Sequence, residues 1–238
     1  MLDQAAEMIA SAGSLVVLTG AGCSVDAGVP DFRSPSGWWR KIDPRTVATV
    51  EALEGNYELF HEFYAARVNH LRSIRPHAGH EVLREWEEQG RLSLIATQNV
   101  DRLHQAAGNR EVRELHGTIR EFRCHDCCRE AAEEAFLGRE ACGHCGGRLR
   151  PDVVLFGEKL PEDAWDVSLA AIKAADAVLV IGTSLQVYPA NQLPYMTKGR
   201  LILIGSERTG QEDRFHAFIQ GRAAEVLPEL HGRVSRRI

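Results

Sequence analysis

The sequence predicts an α/β fold, a parallel sheet with helices on both faces and a small second unit made by two insertions. Three observations predict it. Short apolar runs recur along the chain with helical patterns between them, the first run ends in a glycine turn, and two stretches of different composition interrupt the alternation. Strands that alternate with helices are joined by crossovers, which make the strands parallel and cover both faces of the sheet.

The first strand is expected from Ser14 to Thr19, where Leu15-Val16-Val17-Leu18 runs into Gly20-Ala21-Gly22. A continuous apolar run of this length is the mark of a strand buried on both faces. Similar runs occur at Arg91 to Thr97, Val153 to Phe156, Ala177 to Ile181 and Leu201 to Ile204, with helical patterns such as His80 to Gln89 and Ala164 to Ala174 between them. From Pro30 to Pro76 the chain is helical and aromatic, with Trp38, Trp39, Tyr57, Phe60, Phe63 and Tyr64, and from Ile119 to Arg150 it is polar and cysteine-rich. The expected division is therefore a Rossmann-like unit of residues 1–30, 77–118 and 151–238. A small zinc-binding and helical unit is expected from 31–76 and 119–150.

Composition excludes some function classes and permits others. The 238 residues suffice for one main core and a small module. A net charge of -5 gives no general attraction to nucleic acid or anionic membrane. No apolar run approaches the roughly 20 residues of a membrane helix. The start, with Asp3 and Glu7, does not read as a signal peptide, so a cytoplasmic address is expected.

Five of the six cysteines crowd into one stretch, whereas a disulfide framework would spread them. Cys124-x-x-Cys127 and Cys142-x-x-Cys145 are two matched knuckles, and four converging thiolates make a tetrahedral zinc site. Such a set leaves no open position for a catalytic water, so the expected ion is structural. Cys128 is a rival for Cys127, but the symmetry of the spacing favours Cys127. A redox pair is the plainer alternative, and it leaves the second knuckle unexplained.

Gly20-Ala21-Gly22 between a strand and a helix is a place where backbone N–H groups can cradle a pyrophosphate. Alone it is also an ordinary tight turn, and the third glycine of the dinucleotide fingerprint is absent. The surrounding blocks are more specific. They are Gly20-Ala21-Gly22-Cys23-Ser24-Val25-Asp26-Ala27-Gly28-Val29-Pro30-Asp31-Phe32-Arg33, then Thr97-Gln98-Asn99-Val100-Asp101-Arg102-Leu103-His104, then His116-Gly117. The paired knuckles follow, then Pro151-Asp152-Val153-Val154-Leu155-Phe156-Gly157-Glu158 and Gly182-Thr183-Ser184-Leu185-Gln186-Val187-Tyr188-Pro189. In this order, from about residue 13 to 230, the blocks closely resemble the sirtuin family.

That resemblance implies an NAD-consuming protein-lysine deacylase with one structural zinc ion. It implies His116 as the catalytic base, with Asn99 and Asp101 orienting the ribose and nicotinamide side and Gln98 and Val100 lining the same pocket. Imidazole suits this role because its pKa lies near the working pH. A histidine that merely caps a strand end is the bland reading of His116, and His104 is expected to be structural. The resemblance further places Gly20, Ala21, Gly22, Ser24, Val25, Ala27, Gly28, Asp31, Phe32, Arg33 and Trp39 at the cofactor, together with Gly182, Thr183 and Ser184. Asp31 and Arg33 have the alternative of a simple loop ion pair. After the late strand the family usually carries asparagine, and here Gly205 stands there, so Ser206 or Glu207 is expected to supply the missing contact. Ala223 matches a small residue beside the adenine, with a packing role at a helix start as the alternative. The substrate backbone is expected as an added strand between Val153–Glu158 and Leu185–Pro189, touching Val154, Phe156, Gly157 and Val187.

Tyr64 and Arg67 lie three positions apart and share a helix face. From spacing alone they read as a core tyrosine and a surface arginine. In the matching place, they resemble the Tyr-x-x-Arg pair of the desuccinylase-type branch, where a guanidinium and a phenol hold an acyl carboxylate. The expected activity is desuccinylation or demalonylation beside deacetylation, by a monomer without nucleic-acid or membrane partners. Protein mono-ADP-ribosyl transfer and a non-catalytic NAD-sensing module are the competing readings.

Overall fold

A computed structural model describes residues 1–32 and 41–237. The chain opens with α1 (Leu2–Ala10), which buries Ala5, Ala6 and Ile9, and β1 (Leu15–Thr19), buried at every position. A short helix, α2 (Val50–Gly55), and a longer one, α3 (Tyr57–Leu71), follow, begun by the side chains of Thr49 and Asn56 accepting from the backbone N–H groups of Ala52 and Leu59. Next come α4 (Ala78–Glu88), β2 (Leu92–Thr97), α5 (Leu103–Ala107) and β3 (Val112–Glu114). The cysteine-rich stretch holds β4 (Gly117–Cys124), β5 (Glu130–Ala131), α6 (Glu133–Leu137) and β6 (Leu149–Val153). The chain closes with α7 (Glu162–Ala174), β7 (Ala177–Ile181), β8 (Arg200–Gly205), β9 (Ala217–Gln220) and α8 (Ala223–Ser235).

Six strands form one parallel sheet in the order β3-β2-β1-β7-β8-β9. Alternation along β1 explains its unbroken apolar run. Leu15 and Val17 pack with α1, α4 and α8 on one face, while Val16 and Leu18 pack with Ile172 of α7 on the other. The fold is therefore a Rossmann-like sheet covered on both faces. The chain moves outward from β1 through β2 to β3 and returns on the other side at β7. Order reverses between β1 and β7, and the loops leaving those two strands diverge to open a crevice.

The small sheet runs β5-β4-β6, antiparallel, over a separate core with Phe60, Val68, Phe122 and Phe136. Here the sequence expectation needs correction. Of the run expected as a strand from Val153 to Phe156, only Val153 lies in a strand, closing β6 of the small sheet against β4, and Phe156 makes an isolated bridge to Thr49. An apolar run reports burial and leaves its sheet unspecified. The expected cuts at 118/119 and 150/151 fall inside β4 and β6, which join the two sheets. Among the described residues, no helix is long and apolar enough to cross a membrane.

Candidate functional site

All five loops leaving β1, β2, β3, β7 and β8 at their carboxyl ends meet at one cleft of about 650 Å³. The turn after β1 is built by close backbone approach. Gly22 N donates to Gly182 O at 2.8 Å, and a Cβ on Gly182, whose φ is +62, would meet Cys23 N at 2.2 Å. No larger residue fits there without moving the turn. The result is the wall formed by Gly20, Ala21 and Gly22 facing Gly182, Thr183 and Ser184.

The loop after β2 carries the polar groups. Asn99 is 6 % exposed and its Nδ2 donates to Ser24 Oγ at 3.0 Å, while its backbone N donates to Thr97 Oγ1 at 3.0 Å. Gln98 Nε2 donates to Thr183 Oγ1 at 3.1 Å, tying the two sides of the crevice together. Burial pushes the Asp101 carboxyl up from its ordinary value, against hydrogen bonds from the Leu103 amide and the Ser24 hydroxyl. His116, at the end of the β3 loop, lines the same cleft, and its Nδ1 donates to Gln98 O at 3.1 Å. That bond assigns the proton to Nδ1 and leaves Nε2 as the basic nitrogen. Burial lowers the His116 pKa, and the Gln98 carbonyl opposes the shift.

Val154, Phe156, Gly157 and Val187 line the same cleft. The Val154–Glu158 turn is pinned from beneath by Arg150, wholly buried, whose Nη1 meets Glu158 Oε1 at 2.7 Å. Glu158 Oε2 also accepts from Leu155 N at 2.7 Å. A charge buried this deeply is tolerated only with a full set of partners.

Tyr64 and Arg67 of α3 also reach the cleft, both buried, at 3 % and 9 % exposure. The Arg67 guanidinium lies over the rings of Phe32, Phe63 and Tyr64 at 5.3, 5.4 and 5.6 Å. Among the described residues, no carboxylate lies within ion-pair distance of it, so an aromatic cage holds a cation in a largely dry wall. Spacing alone favours an exposed arginine, and tertiary packing buries it instead.

The cleft also gathers Val100, Asp31 and Phe32, and Gly205, Ser206 and Glu207 after β8. Ser24 is wholly buried one layer below the wall, acting through Asn99. Val25 and Ala27 sit in a short 3-10 turn closed by Gly28 at φ +96, and none of the three forms the wall. Ala223 begins α8 and packs in the core at 4 % exposure, away from the wall. Arg33 and Trp39 lie outside the described residues. Residues not singled out in advance include Arg208 and Thr209, which extend the β8 loop, and His70. The position of the loop beyond a strand's carboxyl end was the available signal for the first two.

The four thiols of Cys124, Cys127, Cys142 and Cys145 lie within 4.8 Å of one another, with Cys124–Cys145 at 3.5 Å and Cys127–Cys142 at 3.7 Å. Zinc–sulfur bonds in a tetrahedron imply sulfur separations of roughly 3.8 Å, so the set fits a zinc ion. Cys128 is exposed, with Arg123 Nη1 3.8 Å from its sulfur, and stands outside the quartet.

Known proteins agree with this arrangement. The Sir2 family pattern matches residues 20–189. NAD-dependent protein deacetylase 1 of Geobacillus kaustophilus is 46 % identical over 228 residues, 94 % of each chain. The NAD-dependent protein deacylase of Thermococcus kodakarensis is 42 % identical over 246 residues, 98 % of this chain and 96 % of that one. A solved Sir2 variant holding a deacetylated p53 peptide and 3'-O-acetyl ADP-ribose superposes with a TM-score of 0.87 at 30 % identity, over 97 % of this chain and 96 % of that one. With a parallel sheet opening on this cleft, a cysteine quartet in the small unit and relatives matched over nearly their whole length, the chain belongs to the Sir2 family, the sirtuins.

Proposed function

We propose that the protein removes acyl groups from lysine side chains, with NAD as co-substrate and one structural zinc ion in the cysteine quartet. The observation that carries this reading is the His116 imidazole, held by Gln98 O with its proton on Nδ1, in a cleft at the reversal point of the sheet. NAD supplies a nicotinamide leaving group and a ribose carbon that the acyl-amide oxygen can capture. The chain supplies the rest. Within the two glycine turns, whose Gly20, Gly22 and Gly182 amides are spent on backbone carbonyls, the amides of Ala21, Thr183 and Ser184 are the ones offered to the phosphates. Asn99 and Asp101, braced through Ser24, orient the ribose and carboxamide end. His116 Nε2 takes the ribose proton. Ser206 and Glu207 reach the adenine ribose where Gly205 offers no side chain, and Phe32 shields the reactive face. The acyl-lysine peptide lies as an added strand between Val154–Gly157 and Val187, where main-chain pairing accepts many sequences.

The Arg67 and Tyr64 pair supports a finer reading, a preference for acidic acyl groups such as succinyl and malonyl. Residues 31–76 and 119–150 work as the small domain in the same reading, with β4 and β6 as its links. Action as a cytoplasmic monomer without nucleic-acid partners belongs to it too, and the net charge of -5 supports the last point.

Mass spectrometry of products from NAD and a panel of acyl-lysine peptides tests the reading. Free nicotinamide, unblocked lysine peptide and O-acyl ADP-ribose are expected, with a loss on the order of 10²–10⁴-fold in His116→Tyr. ADP-ribose appearing on protein instead, or full turnover in that variant, would overturn it.

A further inference from the structure

Beneath the first glycine turn lies a cluster that neither the cleft nor the cysteine quartet uses. Cys23, His80 and His104 are 0 %, 0 % and 1 % exposed, and each offers a ligand atom within 4.8 Å of the other two. The two imidazoles have centroids 5.0 Å apart. His80 Nε2 and His104 Nδ1 are buried with no hydrogen-bond partner. Buried polar atoms left without partners are uncommon in folded proteins and point to an occupant.

Local bonding prepares His104 as a ligand and leaves the His80 tautomer free to follow. Thr19 Oγ1 gives its proton to Thr97 Oγ1 at 2.7 Å, so it accepts from His104 Nε2 at 3.0 Å, and His104 Nδ1 carries a bare lone pair. The His77 amide reaches His80 Nδ1 only at 3.4 Å, the outer edge of hydrogen bonding, and does little to fix that ring's proton.

We propose that Cys23, His80 and His104 form a second metal site, separate from the cysteine quartet, for a thiophilic first-row ion of the Zn²⁺ class. One sulfur and two imidazoles suit zinc or cobalt, and the absence of carboxylates among the three gives no preference to Mg²⁺ or Ca²⁺. As the metal–sulfur bond forms, the Cys23 thiol releases its proton to solvent. Cys23 closes the short Ala21–Cys23 turn, whose Ala21 and Gly22 line the cleft. The rival occupant is a water bridging the two unpartnered nitrogens.

The test uses the full chain with its quartet loaded with zinc. Co²⁺ is added and absorbance is followed to equilibrium over hours. A saturable spectrum is expected, with sulfur-to-cobalt charge transfer in the near ultraviolet and ligand-field bands in the visible. Cys23→Val should lose the charge-transfer band and bind Co²⁺ at least about tenfold more weakly, while Cys128→Ser, at an exposed thiol outside the cluster, should match wild type. An identical spectrum in Cys23→Val and wild type would overturn the proposal. Elemental analysis of wild type at saturating Zn²⁺ decides without any variant. Two ions per chain support a second site, and one ion per chain rejects it.

Discussion

His116 donates from Nδ1 to the main-chain oxygen of Gln98, 18 positions earlier in sequence and 3.1 Å away in space. One bond fixes the ring's tautomer, anchors the end of β3's loop to that of β2, and leaves the second nitrogen available as a base. Burial meanwhile holds the ring's pKa below the ordinary 6.5.

This gives a pH dependence of definite sign. The base works unprotonated, and a lowered pKa keeps it unprotonated to lower pH. The acid limb of kcat/KM on an acyl peptide should therefore have its midpoint below 6.5, with turnover flat from there toward neutrality. A midpoint above 6.5 in a product-release assay would contradict the assigned environment of the ring.

Arg67 offers a test of acyl choice. A charge-assisted bond to a carboxylate in this largely dry wall contributes about 1.5–3 kcal/mol, so Arg67→Met should lower kcat/KM on succinyl-lysine peptides by roughly 10- to 100-fold. Acetyl-lysine peptides carry no such carboxylate, and their kcat/KM should stay within about threefold. Equal losses on both substrates would show that Arg67 only supports packing.

The cysteine quartet should matter to folding and not to chemistry. Cys142→Ser should destabilise the protein on the order of 4 kcal/mol, lowering Tm by about 10 °C, through loss of one ligand beneath the small sheet. Protein refolded with Cd²⁺, another thiophilic tetrahedral ion, should retain near-wild-type turnover. Activity that tracks the identity of the metal would assign the ion a part in the reaction.

The inner strands β1, β2, β7 and β8 were legible because both faces of each are buried, which forces apolar runs. The edge strands β3 and β9 were not. Val112-Arg113-Glu114 and Ala217-Phe218-Ile219-Gln220 are short and mixed in polarity, so they carry no clear pattern. In the site, the glycine turn, the Thr97–His104 block and the cysteine knuckles were readable as contiguous motifs. Arg67 was legible only through the family resemblance, since its helical spacing alone suggested solvent.

The sequence by itself determined the layered α/β plan, the position of the first glycine turn and the membership of the cysteine quartet. Each of these is written in residues close along the chain, where periodicity and spacing act directly. Tertiary structure decided what distant segments do to one another. It set Ser24 under Asn99 across 75 positions, closed an aromatic cage around Arg67, and brought Cys23, His80 and His104 into one dry cluster. The reason is physical: hydrogen bonds, burial and the pKa shifts they cause depend on separation in space, and the strand order that sets those separations leaves no local mark in the chain.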